Sequence, residues 1–140
     1  MELWKKLYNT VWLAFFCCVL IPRWMGLYIG LPVHVVLGLL MLFLTQSNAK
    51  RLRALPVPDR LKRISKATAG IAMFQLVAGI AMGGARHLAP NVPYLYATLT
   101  GIHVVCALTI LAQASSTATG YDMWEEKETG PTSEETKPKG

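Results

Sequence analysis

The sequence predicts an all-α integral membrane protein: a four-helix bundle made of two parallel two-helix repeats. Only 16% of its 140 residues are charged and 53% are hydrophobic, whereas soluble domains are about a quarter charged. The charges are also segregated, because residues 12–21, 33–44, 67–84 and 92–114 contain no Lys, Arg, Asp or Glu. A helix on a soluble protein would interrupt such runs with a polar face. A third observation, an internal repeat described below, predicts the pairing of the helices.

Each uncharged run predicts one membrane-spanning helix. The predicted spans cover residues 7–22, 31–48, 65–85 and 94–115. Their lengths are close to the roughly 20 residues that a helix needs to cross a hydrocarbon core. Together they form one transmembrane domain, residues 1–118. Residues 119–140 are polar, and we expect them to form a disordered cytoplasmic tail.

The basic residues predict the orientation. Seven of the fourteen lie between Lys50 and Lys66, in the connection between the second and third spans. Cytoplasmic loops of membrane proteins are enriched in Lys and Arg, so this connection and both termini are predicted to lie on the cytoplasmic side of a cell membrane. Pro56 and Pro58 at its centre are expected to interrupt the helix. Because the charge is placed in this way, the net charge of +6 predicts contact with a lipid bilayer and not with nucleic acid.

An internal repeat relates the second span to the fourth. With an offset of 69, seven of the seventeen positions from 33 to 49 are identical. The identities include His34 with His103, two of only three histidines in the chain. Parallel repeats imply a two-fold axis along the membrane normal. Both histidines are therefore expected to enter the membrane near its outer surface and to face each other.

Paired histidines at this depth predict a metal site. Ionisable side chains inside a membrane are costly and usually functional. Two facing imidazoles suit a metal held axially from both sides, and a b-type heme iron is the leading candidate. Gly38 and Ala107 follow the histidines by four residues, where small side chains leave room for a porphyrin. Arg23 and Arg86, at the outer ends of the first and third helices, are expected to pair with heme propionates.

Structural roles for the histidines stay open. A histidine near a helix end can reach toward headgroup water, and a duplicated chain can retain a packing histidine. His87, on the outer connection, is expected to be a surface residue. Cys17, Cys18 and Cys106 have no metal-binding spacing and are expected to pack as small apolar residues.

Two further features predict contacts between helices. Gln75 and Gln113 are the main polar residues inside the third and fourth spans, and we expect them to form interhelical hydrogen bonds. Gly79 and Gly83 form a GxxxG motif, which indicates close helix packing.

The pattern resembles the heme A synthase family over residues 7–115, as a single four-helix half. The residues that carry the resemblance are His34 at the start of the second span, the basic connection up to Arg63, the segment from Phe74 to Gly79, and His103. The resemblance implies a heme-binding membrane bundle in which the two histidines are axial ligands. It also implies that a half-size chain pairs as a homodimer.

The chain departs from this family at two positions beside His34. The family typically has a Glu where this chain has Leu31, and an Arg where this chain has Val35. The cysteine pair of some members also has no counterpart. The resemblance therefore implies heme binding and the fold, whereas heme A synthase-like oxidoreductase activity is left open and no catalytic residue is assigned.

Two functions remain open. The first is a bis-histidine cytochrome engaged in electron transfer or heme handling at the outer leaflet, for example as a subunit of a respiratory or quinone-linked complex. The second is a cofactor-free subunit or assembly factor of a larger membrane complex. Replacing either histidine distinguishes them, because a heme spectrum is lost only in the first case. A transporter is disfavoured because no carboxylate lies in any span.

Overall fold

The computed structural model describes residues 2–20, 27–89 and 91–129, and every element in these ranges is helical. This confirms the all-α prediction. Helix α1 spans Leu3–Phe15 and continues into a π-helical turn, Phe16–Leu20; α2 spans Leu27–Ala54, α3 spans Asp59–Leu88 and α4 spans Pro93–Thr129.

Three of these helices are long and apolar enough to cross a membrane, over Gly30–Ala54, Asp59–Leu88 and Tyr94–Glu128. Large apolar side chains lie on their outer surfaces: Phe43, Val77 and Val105 are 67%, 57% and 63% exposed. Soluble monomers rarely expose large apolar patches, whereas helices that face lipid do so. The protein is therefore a membrane protein. The first predicted span corresponds to α1 and the π-helical turn as far as residue 20, and its crossing of the membrane stays a prediction, as does the orientation.

The break between α2 and α3 falls at residues 55–58, where Pro56 and Pro58 were expected to interrupt the helix. The predicted loop from Lys50 to Lys66 is mostly helical, because α2 continues to Ala54 and α3 begins at Asp59. Basic side chains in the last turn of α2 are favourable, since the carboxyl end of a helix carries a partial negative charge. The short connection makes α2 and α3 antiparallel neighbours.

The four helices form a ring. Helix α1 packs against α2, α2 against α3, α3 against α4, and α4 against α1. Within the described ranges, α2 and α4 share no close backbone contact, so they lie diagonally opposite each other. The space between them is therefore bordered by side chains from both helices. The division of this ring into two parallel repeats stays a prediction.

Helix α4 extends past the predicted domain boundary at residue 118. Tyr121 is 6% exposed, and the hydroxyl of Tyr8 donates a hydrogen bond to the carboxylate of Asp122 at 3.4 Å. Gly120 lies so close to Leu61 that an added Cβ would be 2.6 Å from Leu61 Cδ2. The prediction of a disordered tail is therefore wrong for residues 119–129, because α4 continues to Thr129 and the first part of this segment packs onto the bundle. Residues 130–140 lie outside the described part of the chain.

A layer of buried polar side chains crosses the bundle interior. Its members come from all four helices and are Thr10, Thr45, Asn48, Ser65, Thr68 and Thr117. Asn48 Nδ2 donates to Thr10 Oγ1 at 2.8 Å and so connects α2 to α1. Thr68 Oγ1 donates to Gln113 Oε1 at 2.9 Å and connects α3 to α4. The second bond confirms the interhelical role predicted for Gln113.

Candidate functional site

The imidazoles of His34 and His103 lie side by side in the middle of the ring of helices. Their ring centroids are 5.9 Å apart and the ring planes are inclined at 51°. His34 is in the second turn of α2 and His103 is in α4, so the pair joins the two diagonal helices. The repeat in the sequence predicted that these two side chains face each other, and the structure confirms that contact.

The two histidines line a common cavity of about 360 Å³. Its walls come from α1, the π-helical turn and the other three helices. Its lining residues include His34, His103, Gly38, Ala107, Gln75, Gly79, Leu31, Met41, Met82, Cys17 and Cys18. No charged side chain of the described residues lines it. Cofactor sites are mostly apolar, with a few convergent polar groups, and have volumes of roughly 300–1,000 Å³. The cavity has this character.

Gly38 and Ala107 both line the cavity beside the histidines, as their i+4 spacing predicted. A Cβ added to Gly38 would meet no other atom within 4 Å. The glycine therefore borders open space, and a larger group has room against the backbone of α2 at this point.

The position of His103 is fixed by two residues of α3. Gln75 Nε2 donates a hydrogen bond to the backbone carbonyl of His103 at 2.9 Å, which confirms its predicted interhelical role. A Cβ added to Gly79 would lie 3.3 Å from Cε1 of the His103 ring and 3.8 Å from Nδ1. The absence of a side chain at Gly79 thus leaves room for the imidazole of His103. The sequence indicated only a helix-packing motif at this glycine. Gln75 and Gly79 are four residues apart and so share one face of α3, but their spacing does not show that this face meets His103.

Only one of the two predicted arginines, Arg86, belongs to the described part of the chain. Arg86 is exposed in the last turn of α3 and does not line the cavity. Arg23 lies outside the described residues. His87 is exposed, as expected for a surface residue. The expected pairing of the two arginines with propionates therefore stays a prediction.

Two of the cysteines line the cavity, although the sequence indicated only packing. Cys17 and Cys18 belong to the π-helical turn that follows α1 and are half-buried. Single π-helical turns occur often at functional sites. Their adjacency in the sequence carries no metal-binding signal, so this placement was not predictable.

The donor set limits the metal that the site can hold. Among the described residues there is no group of three or more His, Cys, Asp or Glu side chains that could hold a metal ion. Zinc sites need three or four protein ligands, so two imidazoles are too few. A heme iron takes four ligands from its porphyrin and needs only axial ligands from the protein.

The separation of the rings also fits one metal between them. If one nitrogen of each ring pointed at a metal between them, metal–nitrogen bonds of about 2.0 Å would place the two ring centroids about 6 Å apart. The two centroids are 5.9 Å apart in the structure, close to this value. The residues present are therefore of the kind that could hold a heme, with His34 and His103 as its protein ligands.

Comparison with known protein families, curated proteins and solved structures finds no match for this chain. The resemblance of residues 7–115 to half of a heme A synthase therefore stays a prediction, and the function has to be argued from the cavity.

Proposed function

We propose that this chain is a membrane b-type cytochrome in which His34 and His103 hold one heme iron from opposite sides. The observation that carries the proposal is the contact of these two imidazoles, 5.9 Å between centroids, across the diagonal of an apolar cavity. An isolated packing histidine has no need of a histidine partner or of the open space beside Gly38.

The function that fits such a site is electron transfer. A bound heme supplies reversible one-electron redox chemistry, and two axial histidines leave the iron no open position for oxygen. The protein supplies the two ligands, a mostly apolar surrounding and a fixed place in the membrane. Leu31, which stands where the heme A synthase family has a Glu, lines the cavity with an apolar side chain. The proposal is accordingly heme binding with electron transfer, and not oxidation of a methyl group.

The location of the site follows from the same proposal. The basic residues of the α2–α3 connection favour a cytoplasmic position for that end of the bundle. On α2, His34 lies two helical turns further from this end than Met41 does. The cavity would then open near the outer leaflet, where a respiratory or quinone-linked complex, or a second copy of the chain, could exchange electrons with it.

Heme titration of the purified protein tests the proposal. The detergent-purified chain is mixed with hemin, and a dithionite-reduced minus oxidised spectrum is recorded beside His87→Ala, which removes the exposed third histidine. We expect a six-coordinate heme b spectrum in both proteins, at one heme per chain. A parent protein that stays colourless with ample heme refutes the cytochrome and leaves the cofactor-free subunit of a larger complex.

A further inference from the structure

Two buried polar atoms beside the paired histidines have no hydrogen-bond partner within the described residues. They are Nδ1 of His103 and Oε1 of Gln75. Buried polar groups in proteins are almost always hydrogen-bonded, so each unpaired one calls for a physical reason. One atom can donate a hydrogen bond and the other can accept one.

The side chain of Gln75 already touches the backbone of His103. Gln75 Nε2 lies 2.9 Å from the backbone oxygen of His103, so the amide of Gln75 is beside this residue. Gly79, one turn further along the same face of α3, receives the Cε1 and Nδ1 edge of the ring; Nε2 is not within 4 Å of the added Cβ. The Nδ1 edge of His103 therefore faces α3, and Nε2 is the nitrogen that remains for the cavity.

We propose that Gln75 is a positioning residue for His103 in the heme-loaded protein: its Oε1 accepts the Nδ1–H of the ring while its Nε2 holds the backbone carbonyl of the same residue. This inference rests on the proposed heme site and adds to it the nitrogen that binds the metal and the residue that orients it. A neutral imidazole carries one proton, so ligation through Nε2 requires the proton on Nδ1. Histidines that bind metals almost always donate that second N–H to an acceptor, which raises the basicity of the ligand.

The consequence is an effect of Gln75 on the reduction potential. A more basic imidazole stabilises the oxidised iron, so the hydrogen bond lowers the potential. Gln75→Leu removes the acceptor and is expected to shift the potential upward. Gln75→Glu supplies a stronger acceptor at the same place and is expected to shift it downward. The two variants therefore differ in the sign of their effect.

The experiment is a redox titration of the heme-loaded protein, with electron paramagnetic resonance of the oxidised form. Gln46 provides the matched controls Gln46→Leu and Gln46→Glu, because its Nε2 also donates to a backbone carbonyl of a neighbouring helix, that of Ala69, at 3.2 Å. It does not line the cavity. Opposite shifts for the two Gln75 variants, with the Gln46 variants at the parent value, support the inference.

Other outcomes overturn it. If Gln75 only anchors the backbone, both variants lose the Nε2 donor to the carbonyl of His103. The reduction potentials of Gln75→Leu and Gln75→Glu then stay at the parent value or shift in the same direction. If Gln75→Glu does not take up heme, Gln75→Leu decides the question by itself. A reduction potential and an electron paramagnetic resonance spectrum equal to those of the parent then refute the hydrogen bond. A parent without heme refutes the proposed function as well, and this result is seen before any Gln75 variant is made.

Discussion

Gly79 of α3 lies against the imidazole of His103, with only 3.3 Å between the site of an added Cβ and Cε1 of the ring. Gly83, one turn further along α3, would carry a Cβ with no other atom within 4 Å. The two glycines of one GxxxG motif thus have different surroundings. The first makes room for a side chain of the cavity, and the second borders open space.

This difference predicts unequal effects of the same substitution. Gly79→Val is expected to push the His103 ring out of position and to weaken heme binding by about tenfold or more, since overpacking costs about 1–3 kcal/mol. Gly83→Val is the matched control and is expected to bind heme like the parent. Hemin titrations followed by the absorbance of the six-coordinate species measure both. Equal affinities for the two variants would show that Gly79 does not set the position of the ring.

Gly38 offers a second test of the cavity. Gly38→Phe places a ring in the open space beside His34, where a porphyrin is expected to lie. We expect it to abolish heme binding while the helix content and thermal stability of the heme-free protein stay at the parent level. Gly70→Phe, at an exposed glycine of α3 that also borders open space, is the control. Heme uptake by Gly38→Phe at the parent affinity would place the heme elsewhere.

The packing of the α4 extension predicts a stability effect without a heme effect. Gly120→Val forces a side chain into Leu61 and is expected to lower the free energy of unfolding by about 1–3 kcal/mol. Gly120→Val should lower the free energy of unfolding by less in a Leu61→Ala background than in the parent, because the two positions are in contact. Gly101→Val is the control, since a Cβ there meets nothing within 4 Å. Thermal unfolding by circular dichroism measures all of these, and additive effects of Gly120 and Leu61 would contradict the contact.

The features that the sequence predicted are those that depend on composition and on exact residue identity. Uncharged runs predicted the helices, because a membrane helix must be apolar along its length. The match of His34 with His103 predicted their contact, since histidine is rare enough in this chain for a coincidence of position to carry information. The prolines at 56 and 58 predicted the break between α2 and α3.

The features that it did not predict depend on how the helices rotate and pack. Nothing in an apolar helix shows which face of α3 meets α4, so the approach of Gln75 and Gly79 to His103 could not be deduced. The placement of Cys17 and Cys18 follows from a π-helical turn that has no sequence signature. The polarity of residues 119–129 suggested disorder, but the segment is helical, and Gly120 and Tyr121 pack against the bundle.

The most direct test of the account is axial-ligand rescue in the heme-loaded protein. His34→Gly and His103→Gly are each examined in the oxidised form by absorbance and electron paramagnetic resonance, before and after imidazole is added. We expect a six-coordinate low-spin iron in the parent, a five-coordinate high-spin iron in each variant, and recovery of the low-spin signal with imidazole in both. A variant that keeps the low-spin signal without imidazole would contradict ligation of one iron by His34 and His103.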